Sequence, residues 1–77
     1  MPEPQAIYQV PPGRRARLVQ VLGGHRLNKR LLALGLKLGA ELEIVQHRGR
    51  GIVVARGGMR IAIGEGVAEK LLVEVLD

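Results

Sequence analysis

Leucine recurs at positions 27, 31 and 34, a spacing of i, i+4 and i+7 that places three apolar side chains on one face of a short helix. The spacing predicts that helix over His25–Leu34, with the leucine-bearing part at 27–34. Gly35 stands where a left-handed residue would end it, and Leu36, one further on, is placed to pack back on the last turn. On both sides of this segment the period changes to two. Arg15–Leu22 alternates charge with apolar and β-branched residues and ends at Gly23-Gly24, which reads as a strand and its stop.

Gly39 marks the turn into Glu41–Arg48, a strand with Leu42 and Ile44 inward and Glu41 and Glu43 toward water. Gly49-Arg50-Gly51 is a turn, Ile52–Arg56 a third strand, Gly57-Gly58 a two-residue hairpin connection and Arg60–Ile63 a fourth strand. Residues 65–70 read as one helical turn, with Val67 and Leu71 apolar, and Leu71–Leu76 closes as a fifth strand. Five short antiparallel strands, glycine turns and one helix between the first two make a mainly β, strongly bent small barrel. Residues 1–12 hold all four prolines. That stretch is expected to be a tail with one extended contact at Ile7–Val10, and the domain is expected to run over 13–77.

Composition narrows the chemistry. The 77 residues allow one domain with a modest core, and the absence of cysteine removes disulfides and thiolate metal sites. Serine and threonine are absent too, so the common nucleophiles are missing and no catalytic set remains. Residues 1–10 lack a basic segment and an apolar core of the secretory kind. Nor is there a run of about eighteen apolar residues, since Leu31–Leu38 is broken by Gly35 and Lys37. The chain reads as soluble and cytoplasmic. Twelve Lys and Arg against seven acids give a net charge of +5, which favours an acidic partner, a nucleic acid or an anionic surface. Tyr8 is the one aromatic residue. That argues against single-stranded nucleic acid, whose binders stack bases on several rings, and against a proline-peptide groove, which is lined by aromatics.

The remaining candidates are binding residues. Arg26, Lys29 and Arg30, with Lys37 just beyond, form a basic patch on the helix away from the leucines. It could dock on acidic loops or anionic lipid, or it could be a solvated helix face. Arg48 and Arg50 lie in a glycine loop able to present an arginine to a phosphate, although such loops are common without that role. His25 and His47 are the only imidazole ligands for a metal and could act with Glu41, Glu43 or Glu65, but their spacing matches no ligand motif, and no metal or cofactor is expected. Leu32, Leu36 and Leu38 exceed what one helix face needs; the surplus would suit a partner helix or a second copy of this chain.

Four segments carry a family resemblance: P-P-G-R-R-A-R-L-V-Q-V (Pro11–Val21), L-N-K-R-L-L-A-L-G-L-K-L-G-A (Leu27–Ala40), E-L-E-I-V (Glu41–Val45) and R-I-A-I-G-E-G-V-A-E-K-L-L-V (Arg60–Val73). Together they resemble the ferrous iron transport protein A (FeoA) family over nearly all of Gly13–Val75. The resemblance implies an SH3-like barrel, related to the C-terminal domain of iron- and manganese-dependent repressors. It also implies a non-enzymatic, cytoplasmic role beside the ferrous iron permease FeoB, meeting the membrane only through that permease. Many family members have a longer, proline-containing loop between the second and third strands; here the connection is only Gln46–Gly51. The alternatives are a small basic nucleic-acid-binding barrel and a free-standing interaction domain related to metal-dependent repressors, although no helix-turn-helix precedes the domain here.

Overall fold

The computed structural model describes residues 3–77; Met1 and Pro2, part of the expected tail, lie outside the described residues. The strands are β1 (Gln5–Ala6), β2 (Arg15–Val21), β3 (Glu41–Arg48), β4 (Gly51–Arg56), β5 (Met59–Ile63) and β6 (Leu71–Val75). Helix α1 (His25–Ala33) lies between β2 and β3, and the single turn α2 (Glu65–Ala68) between β5 and β6. All six strands pair antiparallel in one sheet of order β1-β6-β2-β3-β4-β5. The sheet bends around one core as a small SH3-like barrel. β1 and β5 are its two edges.

Bending has identifiable causes. On β2, the register to β6 slips between Leu18 and Gln20, and on β3 the register to β4 slips between Ile44 and Gln46. The extra residues, Val19 and Val45, are bulges, which kink a strand and increase its twist. Alternation does the rest. Ala16 and Leu18 on β2, and Leu42 and Ile44 on β3, are buried, while Arg15, Arg17, Glu41 and Glu43 face water. Among the described residues the buried set is entirely apolar, and no buried side-chain polar atom lacks a partner. The core is aliphatic, with Leu18, Leu31, Leu36, Ile44, Ile52 and Leu71 its large, fully enclosed members.

The five expected strands are present, and a sixth is added by the segment assigned to a tail. β1 pairs with β6 through Gln5↔Val73 and Ala6↔Leu72, and the contact at residues 7–9 is a 3-10 turn rather than extended chain. Ile7 and Val10 are both fully buried. Their separation explains this: three residues apart, they fall on the same side of a 3-10 turn. The prolines at 4, 11 and 12 lie outside the paired residues, where the missing N–H costs nothing to the ladder.

α1 ends as its leucine and glycine pattern indicates. Leu36 N–H donates to the Leu31 carbonyl at 2.8 Å and Gly35 N–H to that of Leu32 at 2.9 Å, with Gly35 at φ 81°. This is the Schellman pair of bonds. It encloses Leu31 and Leu36 together in the core. Leu27 packs partly buried against them, but Leu34 remains 42% exposed. It stands in the last turn, past the edge of the core. The hairpin at Gly57-Gly58 has positive φ at both residues (57° and 81°), with Arg56 opposite Met59, the backbone of a type I′ turn. Among the described residues no helix is long and apolar enough to cross a membrane.

The two leucine environments should separate cleanly in a urea titration. Leu31→Ala, which opens a cavity in the core, should destabilise the fold by about 2–5 kcal/mol. Leu32→Ala, at an exposed position of the same helix, should cost less than about 0.5 kcal/mol.

Candidate functional site

Charge is distributed unevenly over this barrel. On β2 and β3, Arg15 contacts Glu41 at 3.0 Å and Asp77 at 3.6 Å, and Arg17 contacts Glu41 at 3.5 Å. Arg50 contacts Glu65 at 3.5 Å. Arg26, Lys29, Arg30 and Lys37 are exposed on and just after α1, Arg48 is exposed at the end of β3 and Arg60 on β5, and none of them forms an ion pair with a described residue. Sequence explains the segregation: no acid occurs between Gly23 and Ala40, nor between Ile44 and Gly64. The helix and the β4–β5 hairpin therefore present cations without carboxylates.

The two basic segments meet around β5. One depression is lined by Arg30, Leu31 and Leu34 of the helix region together with Ala62, Ile63, Gly64 and Val67. A second is lined by Arg48, Arg50, the same Ala62–Gly64 stretch and Glu65. Arg30 thus borders the apolar stripe and does not stand opposite it. Arg26 and Lys29, by contrast, line neither depression. A third depression shares Leu34 with the first and is otherwise lined by Gly35, Arg56, Gly57, Met59 and Ile61. Arg56 Nε donates to the Gly35 carbonyl at 2.9 Å. It supplies a cationic donor where the helix end leaves acceptors open.

Arg56, Arg60 and Met59, the last 64% exposed, were not singled out from the sequence, and Leu34, expected on the inward stripe, lies instead on the surface beside Met59. The signal was present in the carboxylate-free run across the Gly57-Gly58 hairpin. Leu32 and Leu38 are also exposed, at 58% and 61%, so part of the leucine surplus does lie on the surface.

The histidines are far apart in role. His25 is exposed at the start of α1. His47 is half-buried on β3, and its Nε2 donates to the Val10 carbonyl at 2.7 Å. That bond ties the N-terminal segment to the barrel and occupies one of the two nitrogens a metal could use. Among the described residues no three His, Asp or Glu side chains come together as a metal site.

The architecture and this surface define a class: an SH3-like barrel with a strip of cations along one sheet edge, where the carboxylate of Glu65 is paired with Arg50. The FeoA domain model matches residues 6–75, and the chain belongs to the FeoA family. Over 46 residues, 60% of this chain, it is 33% identical to a Methanocaldococcus jannaschii protein named as Fe(2+) transport protein A, and the stretch spans 56% of that relative's length. A crystal structure titled as an iron uptake regulatory protein (FeoA) superposes with a TM-score of 0.87 at 32% identity, covering 96% of this chain and all of that one. The IdeR structure from T. acidophilum also gives 0.87, at 22% identity, over 95% of this chain and 34% of that chain; this likeness is one of fold. The expected family, and its barrel shared with metal-dependent repressors, are thus shown.

If His47 serves to hold the N-terminal segment, His47→Ala should destabilise the protein by about 1 kcal/mol. Amide exchange at Val10, whose N–H is bonded to the Ile7 carbonyl at 3.1 Å, should quicken more than at Leu31. Equal protection at Val10 in both proteins would show that the imidazole contributes nothing to this contact.

Proposed function

We propose that this chain is a cytoplasmic accessory protein of ferrous iron uptake that binds the cytosolic region of a FeoB-type GTP-dependent iron permease and modulates it through protein contacts, without catalysing a reaction. The observation that carries this reading is the family match over residues 6–75. Its support is the strip of cations lacking carboxylate partners, which suits an acidic protein surface. Exposed charges of this kind add little to folding stability, so the strip is available to a partner at small cost to the fold. Arg50 is already engaged by Glu65, whereas Arg26, Lys29, Arg30, Lys37 and Arg48 are exposed and form no ion pair with a described residue. The membrane is reached only through the permease.

The test is binding of the purified chain to the cytosolic GTP-binding domain of its cognate permease at physiological salt, in the nucleotide-free, GDP and GTP-analogue states. Saturable binding is expected, weakened about tenfold or more by joint reversal of Arg26, Lys29 and Arg30 to Glu. Binding in none of the three states would overturn the assignment to this region of the permease.

A further inference from the structure

β5 is hydrogen-bonded to β4 alone, so one of its edges is open. Which of its groups face that edge follows from the register. In an antiparallel pair, directly bonded and non-bonded partners alternate, and the residues flanking a two-residue hairpin turn are a bonded pair. Arg56↔Met59 flanks Gly57-Gly58, so Val54↔Ile61 and Ile52↔Ile63 are bonded too. Arg60 and Ala62 are then the residues whose N–H and C=O point away from β4. No backbone hydrogen bond outside the β4–β5 ladder takes them up among the described residues.

Beside this edge lie two depressions that share Leu34 of the α1 turn, one against Ala62–Gly64 and the other against Met59 and Ile61. Arg30 lines the first and Arg56 the second, and Arg60 is exposed on the strand, on the same face as Ala62. No carboxylate lines either depression. Glu65, just beyond the end of β5, is engaged by Arg50.

We infer that the open edge of β5 is a strand-addition site for an extended, acidic and apolar segment of a partner protein. Main-chain bonds to Arg60 and Ala62 would supply register, and alternate side chains would fall into pockets, the general mode of recognition at a sheet edge. Apolar side chains would lie against Leu34 and Met59 on the face shared with Ile61, and the alternate, acidic ones would meet Arg60 on the opposite face, while Arg30 and Arg56 flank the apolar face and would meet acids at the segment's ends. A second copy of this chain is disfavoured as occupant, because it would bring the same three arginines face to face. The inference deepens the docking reading above by naming the chemistry of the docked segment, and it rests on that reading only for the identity of the partner.

The experiment uses the full chain and a short capped peptide alternating Val and Glu, with a Val and Lys peptide as its counterpart, followed by calorimetry and amide exchange. Binding of the acidic peptide alone is expected, with exchange slowed at Arg60 and Ala62 and unchanged at Ile61. Ala62→Pro removes an outward N–H without touching the β4 ladder; it should weaken binding about tenfold or more, as should Arg30→Glu with Arg60→Glu. Arg14→Glu, an exposed cation on another part of the barrel, should leave binding unchanged. Amide spectra of each variant establish that it is folded. Should Ala62→Pro prove unfolded, the exchange pattern at Arg60 and Ala62 in the natural protein decides the matter.

Unchanged exchange at Arg60 and Ala62 under saturating peptide would overturn the inference. So would full affinity in a folded Ala62→Pro, which would leave a surface acting by charge alone. Self-association that buries the same two amides would replace the proposed occupant with a second copy. Permease-domain binding that survives Ala62→Pro would sink strand addition while leaving the accessory role standing.

Discussion

Leu31 and Leu36 lie on either side of the turn that ends α1, and both must be buried for the barrel to close over an aliphatic interior. The left-handed Gly35 between them reverses the chain so that both reach the core, with their backbones joined by the 2.8 Å bond from Leu36 to Leu31. Much of the surface follows from this. With Leu31 pointing inward, Leu34 is carried to the rim, Arg30 is brought beside β5, and the Gly35 carbonyl is turned toward Arg56. A residue with a side chain at position 35 would be strained in the conformation that makes the reversal. The helix is therefore a wall of the depressions beside β5 as well as a lid on the core.

Electrostatics divides the barrel in a way the net charge conceals. Arg15 and Arg17 are matched by Glu41 and Asp77 on and beside β2 and β3, whereas the helix and the β4–β5 hairpin carry cations without acids. Such exposed pairs contribute roughly 0–1 kcal/mol each, so neither arrangement is needed to hold the fold. Their consequence is for association: the cations of the helix and the β4–β5 hairpin, lacking acids beside them in the chain, attract acidic surfaces.

The same barrel occurs at 22% identity in the IdeR structure from T. acidophilum and at 32% in a FeoA structure. A shared aliphatic core explains a shared architecture but leaves function open, because function resides in what a fold presents on its surface. Here the presented features are an open strand edge, two exposed apolar side chains beside it and a row of arginines. The short connection Arg48–Gly51 keeps the β3–β4 turn tight, so Arg48 and Arg50 remain near Ala62–Gly64.

Local rules were legible in the sequence. The leucine spacing and Gly35 specify α1 and its stop; the alternation in Arg15–Leu22 and Glu41–Arg48 specifies β2 and β3 and which side chains point inward; Gly57-Gly58 specifies a two-residue hairpin. Each depends on residues a few positions apart, where periodicity and turn chemistry act directly. Three features were decided only by tertiary structure. Residues 5–10 join the fold because Gln5 pairs with Val73, across nearly the whole chain, and because Ile7 and Val10 complete the core. Leu34 shares the stripe of Leu27 and Leu31, yet it is exposed, because the core ends before the helix does. Arg30 and Arg56 come to lie on either side of Leu34, and Arg60 stands on an unpaired edge, because β5 is the last strand of the sheet, a property of strand order and not of any local pattern. Period and turn chemistry determine what each segment becomes, whereas long-range pairing determines which edge stays open and which charges surround it.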